Sequence, residues 1–257
     1  MDLGLTGKVA VVLGSTSGLG RASAEALAAE GARVVVVGRR RELVSAIADA
    51  LPEATGVVAD LQDAEAPARI VTAARSAFGE VDILVLNGGG PAPIQPPDLT
   101  VEDARAATEL LLVPHVALVR EVLPGMRERG WGRIIGIGSS GIQQPIAMLT
   151  PSNVGRAALA AYLKTLAGTV ARDGVTVNMV LPGRIDTDRV TALDEATARH
   201  TGSDAAAVRR ASEDSIPIGR YGVPAEFASV VTVLAAECAG YVTGEQVRCD
   251  GGLVAGY

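Results

Sequence analysis

A short apolar run, Val9 to Val12, is followed by glycines at Gly14, Gly18 and Gly20, and then by Arg21 to Glu30, rich in helix formers. Glycine has no Cβ, so the backbone can turn sharply there and come close to a ligand. The unpaired N–H groups and dipole at the start of the next helix favour an anion such as phosphate. Gly31 ends that helix, and Arg33 to Val37 supplies a second apolar strand, so the turn lies inside a compact βαβ unit. The order strand, glycine turn, helix, strand predicts an α/β chain with a dinucleotide site at Gly14, Ser15, Ser17, Gly18, Leu19 and Gly20.

Composition agrees with that class and excludes others. Hydrophobic residues make up 48% of the 257, as expected for a parallel sheet covered on both faces. Aromatics are only 3% and the net charge is −6, so neither a base-stacking platform nor a phosphate-backbone footprint is expected, and no nucleic-acid partner is read. The longest apolar run, Leu110 to Val119, is interrupted by Pro114 and His115 and is too short to span a bilayer, so no membrane partner is read. The first residues lack a basic start and a long apolar segment, and no signal peptide is read. Cys238, Cys249, His115 and His200 offer no metal-ligand spacing. The two cysteines read as small buried hydrophobes in a reducing cytoplasm.

Further along, Gly38, Arg39 and Arg40 follow the second strand. An acid at this strand end would bind the adenosine ribose and select NAD; none stands there. Arg39 and Arg40 can instead hold a 2′-phosphate, which favours NADP(H) over NAD(H). Val57 to Ala59 reads as a third strand ending at Asp60, Asp63 to Phe78 as a helix, and Asp82 to Leu86 as a fourth strand running into the glycine-rich loop Asn87 to Pro93. Thr100 is placed to cap one long helix reaching about Arg129, kinked at Pro114. A fifth strand covers Gly132 to Gly138, Ser152 is read as the cap of a helix over Asn153 to Ala171, and Val175 to Leu181 is a sixth strand. Asp188 to Ser215 breaks the alternation as two short helices joined near Gly202, a candidate lid. Pro224 to Ala236 reads as a helix and Glu245 to Cys249 as a seventh strand. With no repeat and no linker, residues 1–257 read as one domain with a lid-like insertion at about 188–215.

Together these motifs resemble the short-chain dehydrogenase/reductase family, in its 3-oxoacyl-(acyl-carrier-protein) reductase-like branch, from about Leu5 to Gly252. Gly14, Gly18 and Gly20 fit its glycine turn, with Leu13 in place of the usual Thr. Asp60, followed by Leu61, fits the carboxylate near adenine. Asn87, Gly88 and Gly89 stand where the family has Asn-Ala-Gly, and Pro182, Gly183, Ile185 and Thr187 fit the segment that holds the nicotinamide amide. Ile216 to Glu226 and Asp250 to Gly252 match the C-terminal pattern. The resemblance implies a single-domain Rossmann fold, a doubly wound seven-stranded parallel sheet, and a homo-oligomer, tetramer or dimer.

The reacting end departs from the family. Its usual tetrad is Asn, Ser, Tyr and Lys. Ser139 fits the Ser, but Ser152 stands at the Tyr position, Arg156 at the Lys position and Leu111 at the Asn position. A positioned acid–base group typically contributes ~10²–10⁴ in rate, and a Ser hydroxyl is a far weaker acid than a Tyr phenol. Arg156 can still hold ribose hydroxyls, but a guanidinium does not release its proton. Three functions follow. One is an NADP(H)-dependent oxidoreductase acting on a carbonyl or alcohol through Ser139, Ser152 and Arg156, with His115 or Tyr221 as candidate replacement proton donors. Another is a nucleotide-binding sensor or partner protein without turnover. The third is a lyase resembling halohydrin dehalogenases, which ranks last because those keep the Tyr and lose the glycine site.

Overall fold

The computed structural model describes residues 2–256. Seven parallel strands form one sheet: β1 (Val9–Val12), β2 (Arg33–Gly38), β3 (Ala54–Val58), β4 (Ile83–Leu86), β5 (Gly132–Ile137), β6 (Val175–Pro182) and β7 (Gln246–Cys249). Their order is β3-β2-β1-β4-β5-β6-β7, so the chain winds outward in both directions from β1. Successive strand residues point to opposite faces, and both faces are covered. Ala10 and Val12 pack with Leu27 of α1 (Gly18–Ala29), Ile47 of α2 (Arg41–Ala50) and Phe227. Val11 and Leu13 pack on the other face with Ile70 of α3 (Ala66–Phe78), Leu118 and Leu163. Each fully buried side chain of this size contributes about 1.5–3 kcal/mol relative to exposure.

The remaining helices are α4 (Val101–Leu111), α5 (Val113–Arg129), α6 (Thr150–Val170), α7 (Asp188–Thr201), α8 (Ala205–Ser215) and α9 (Pro224–Ala235). Thr100 caps α4 as expected: its hydroxyl accepts from the Asp103 N–H at 3.1 Å, and the Asp103 carboxylate accepts from the Thr100 N–H at 3.1 Å. The single kinked helix expected from Thr100 to Arg129 is two helices. Pro114 has no N–H to give and sits in the first turn of α5, where none is needed, so the chain breaks at Leu112 (φ −122°, ψ −56°). Likewise Ser152 does not cap α6. Pro151 starts the helix earlier, Leu149 takes the cap position, and Ser152 is buried inside the first turn. Strand β3 runs Ala54–Val58 rather than Val57 to Ala59. The cysteines are not core residues: Cys238 is exposed and Cys249 partly exposed, and both are free thiols.

Residues 188–215 form α7 and α8, joined at Gly202 in the left-handed conformation (φ 67°). Asp194 of α7, 4% exposed, accepts from Arg184 Nη1 at 3.0 Å and from the Tyr221 hydroxyl at 2.9 Å. That buried carboxylate ties α7 to the segment after β6. No helix among the described residues is long and apolar enough to cross a membrane.

Candidate active site

Strand order reverses between β1 and β4, and in such sheets the crevice at the strands' C-terminal ends takes the ligand. A cavity of about 890 Å³ opens there. One end is the glycine turn. Gly14 (φ 58°) and Gly18 (φ 54°) both adopt the left-handed conformation. A Cβ on Gly14 would stand 2.9 Å from the Asn87 side-chain nitrogen, which donates to the Leu13 carbonyl at 3.2 Å and so holds the turn. Ser17 precedes α1 in extended conformation and makes no capping bond, leaving the first N–H groups of α1 free for an anion. These features fit the diphosphate of a dinucleotide.

Gly14, Ser17, Gly18 and Leu19 line the cavity, with Arg39, Arg40, Asp60 and Leu61 at its outer end. Arg40 donates to the Thr16 hydroxyl at 3.3 Å, and Arg39 lies 4.0 Å from the Asp60 carboxylate, both exposed. Asn87, Gly88 and Gly89 form one wall, and Pro182, Gly183, Ile185 and Thr187 the other. Two expected positions lie behind the surface. The Ser15 hydroxyl donates to the Val12 carbonyl at 2.8 Å and its N–H to the Val37 carbonyl at 3.0 Å, so neither is free for a ligand. Gly20 packs against the Gly14 carbonyl, and a Cβ there would stand 2.7 Å from the Asn87 amide nitrogen; it seats α1 against the turn instead of lining the cavity.

Ser139, Ser152 and Arg156 meet at the opposite end. The Ser139 hydroxyl oxygen accepts from the Gly141 N–H at 3.0 Å and keeps its own proton. Arg156 donates to the Ile137 carbonyl at 2.8 Å and to the Ser152 hydroxyl oxygen at 3.3 Å. Burial pushes the Arg156 guanidinium down to about 10, with Arg189 adding to the shift, so it stays charged at neutral pH. Leu111 is fully buried against α6, where a Cβ on Gly155 would meet its Cδ1 at 2.8 Å, and does not reach the cavity.

Neither candidate proton donor reaches the cavity. His115 is buried with Nδ1 donating to the Leu111 carbonyl at 2.9 Å, and its Nε2 has no partner among the described residues. Burial pushes it down to about 4, so it is neutral at pH 7. Tyr221 is 3% exposed, engaged with Asp194 and stacked under Arg209.

Sequence reasoning missed other lining residues: Thr16 and Gln62 near the glycine turn, Ile146, Met148 and Leu149 before α6, and Arg189, Val190 and Leu193 of α7. Arg189 reaches across to the carbonyls of Gly90 (3.5 Å) and Pro91 (3.4 Å). No local signal marks that contact, because its partners lie about a hundred residues earlier in the chain.

The fold and cavity define a dinucleotide-binding α/β protein of the doubly wound type. Residues 14–254 match the family model described as enoyl-(acyl carrier protein) reductase, and the chain belongs to that family, the short-chain dehydrogenase/reductases. It is 32% identical over 259 residues to the 3-oxoacyl-(acyl-carrier-protein) reductase of Aquifex aeolicus, covering 98% of this chain and 100% of the relative. It is 36% identical over 253 residues to nodulation protein G of Azospirillum brasilense, covering 96% and 98%. Among solved structures it is similar to L-sorbose reductase from Gluconobacter frateurii complexed with NADPH and L-sorbose, with TM-score 0.93, 35% identity and both chains covered in full. It is also similar to YwfH, an NADPH-dependent reductase involved in bacilysin biosynthesis, with TM-score 0.92 and 26% identity over 97% and 99% of the two chains.

Proposed function

We propose that this chain is an NADP(H)-dependent oxidoreductase acting on a carbonyl or alcohol substrate, with Ser152 and Arg156 standing in place of the family's Tyr and Lys. The observation that carries the reading is one continuous cavity. It runs from Arg39 and Arg40, past the uncapped start of α1, to Ser139, Ser152 and Arg156. The relatives solved with NADPH or described as NADPH-dependent support the cofactor choice.

The nicotinamide, when bound, supplies or accepts the hydride. The chain's residues do the rest. Gly14, Gly18 and the start of α1 would hold the diphosphate, and Arg39 and Arg40 the 2′-phosphate. Ser139 has a proton to donate to the substrate oxygen, and the Arg156 charge stabilises negative charge that develops there. Neither residue is a proton reservoir, so water delivers the proton and turnover of simple ketones is slow.

The second reading, a nucleotide-binding protein without turnover, is favoured by one observation: no Tyr, Lys, His or Cys lines the cavity among the described residues. Absorbance of the nicotinamide band after mixing the NADPH complex with aldehydes, ketones and quinones separates the two. Oxidation by any member of the panel supports the reductase; tight NADPH binding with no oxidation by any of them supports the second reading. We also propose a homo-oligomer, tetramer or dimer, since Ala157 and Ala161 leave a small-residue face of α6 exposed.

A further inference from the structure

Arg156, Arg184 and Arg189 line the cavity, and among the described residues no carboxylate pairs with Arg156 or Arg189. Arg156 comes from α6 and Arg189 from α7, and both line the cavity. Their hydrogen bonds go to neutral oxygens. Arg156 bonds the Ile137 carbonyl at 2.8 Å and the Ser152 hydroxyl at 3.3 Å. Arg189 bonds the Gly90 and Pro91 carbonyls at 3.5 and 3.4 Å, the outer limit of hydrogen bonding. Neighbouring arginines are treated differently: Arg184 pairs with Asp194 at 3.0 Å, and Arg209 with Asp186 at 3.0 Å and Glu213 at 2.9 Å. Asp188 lines the same cavity and pairs with neither Arg156 nor Arg189.

Desolvation inside the cavity disfavours both cations, although Arg156 is half-buried and Arg189 exposed at the cavity edge. It lowers Arg189 from its ordinary value, and it lowers Arg156, to which Arg189 is a like-charged neighbour. Like charges facing one cavity repel, and an anion between them relieves that repulsion. Ile146, Met148, Leu149, Val190 and Leu193 add apolar surface to the same cavity. A guanidinium fork matches a carboxylate bidentately, which the two long carbonyl contacts of Arg189 do not.

We propose that Arg156 and Arg189 together hold a carboxylate of the substrate, so that the substrate is a small oxo acid or the matching hydroxy acid. The identity of the reacting carbon rests on the reductase reading above; the anion site does not. In reduction, hydride from NADPH forms the new C–H bond, the carbonyl π bond breaks, and the oxygen takes a proton from water. NADPH is oxidised by two electrons and the carbonyl reduced by two. The cofactor diphosphate is the other anion with suitable chemistry. A Cβ on Gly18 would stand 3.5 Å from the Thr187 methyl, so the start of α7 abuts the start of α1; Arg189, two residues further on, faces Gly90, and the effect of replacing it on NADP⁺ affinity separates the two anions.

The test is calorimetry on the full chain saturated with NADP⁺, using acetoacetate and 2-oxobutanoate against their methyl esters. The acids are expected to bind at least about tenfold tighter than the esters, the scale of one charge-assisted bond. Arg189→Gln is expected to erase that preference with NADP⁺ affinity unchanged. Equal binding of acid and ester, or no binding of either acid, overturns the proposal. Loss of NADP⁺ affinity in Arg189→Gln with the acid preference intact also overturns it, and assigns Arg189 to the diphosphate. If neither NADP⁺ nor NADPH binds while the acids do, the reductase reading fails and the anion site stands.

Discussion

Arg156 donates to the Ser152 hydroxyl oxygen at 3.3 Å from one turn further along α6, so the two residues at the reacting end act as one unit. The bond fixes the hydroxyl oxygen but leaves its proton free to point into the cavity. In the reductase reading proposed above, the pair presents a positive charge and a weak donor where fast carbonyl reduction calls for a stronger acid.

Cofactor selection is expected to sit in Arg39 and Arg40. Arg39 lies 4.0 Å from Asp60, with both side chains largely exposed, so that pair is weak and the guanidinium is available to phosphate. Titrated side by side, NADPH is expected to bind tighter than NADH. Arg39→Asp is expected to weaken NADPH about tenfold or more while leaving NADH nearly unchanged. Equal loss for both cofactors would remove Arg39 from phosphate recognition.

Acid sensitivity is expected to come partly from His115. Its folded value is pushed from 6.5 down to about 4 by burial, so the unfolded chain binds the proton more readily. Stability is therefore full above about pH 6.5 and falls as pH drops towards 4, by up to roughly 3 kcal/mol. His115→Met fills similar space without a titrating group. Denaturant midpoints between pH 7 and pH 4.5 are expected to fall less in the variant than in the parent; parallel curves would exclude His115 as the source.

Much of this architecture is legible in the sequence because the strands are short, buried apolar runs and the glycine turn has one physical use. What stays hidden is set by residues whose partners are far away or whose local signal is ambiguous. Leu110 to Val119 is apolar on both sides of Pro114 and His115, so the pattern reads as one kinked helix and conceals the break at Leu112. Ser152 resembles a helix cap until Pro151 is weighed as a first-turn residue, which moves the start of α6 and turns Ser152 towards Arg156. His115 and Tyr221 carry the right chemistry for a donor, but only burial shows that neither faces the cavity. Arg189 is one of several arginines in a polar insertion, and only the fold sets it over Gly90.

The position of α7 is expected to depend on Tyr221. Its hydroxyl donates to the buried Asp194, which also accepts from Arg184. Tyr221→Phe removes one hydrogen bond to a charged group, worth about 2 kcal/mol. A lower melting temperature and faster proteolysis within residues 188–215 are expected, with NADPH affinity changed little. Unchanged proteolysis would mean that α7 is held in place by other contacts.

The most direct test of the central claim is single-turnover oxidation of bound NADPH by simple ketones, in the parent and in Ser152→Tyr with Arg156→Lys. Adding Leu111→Asn is a third arm; Leu111 is fully buried, so that change alone is expected to cost about 2–4 kcal/mol of stability and must be checked for folding. The account predicts slow oxidation in the parent and a gain of about 10²-fold or more in the double variant, with NADPH affinity unchanged. Fast ketone reduction by the parent, or a folded and NADPH-binding double variant with no gain, would contradict it.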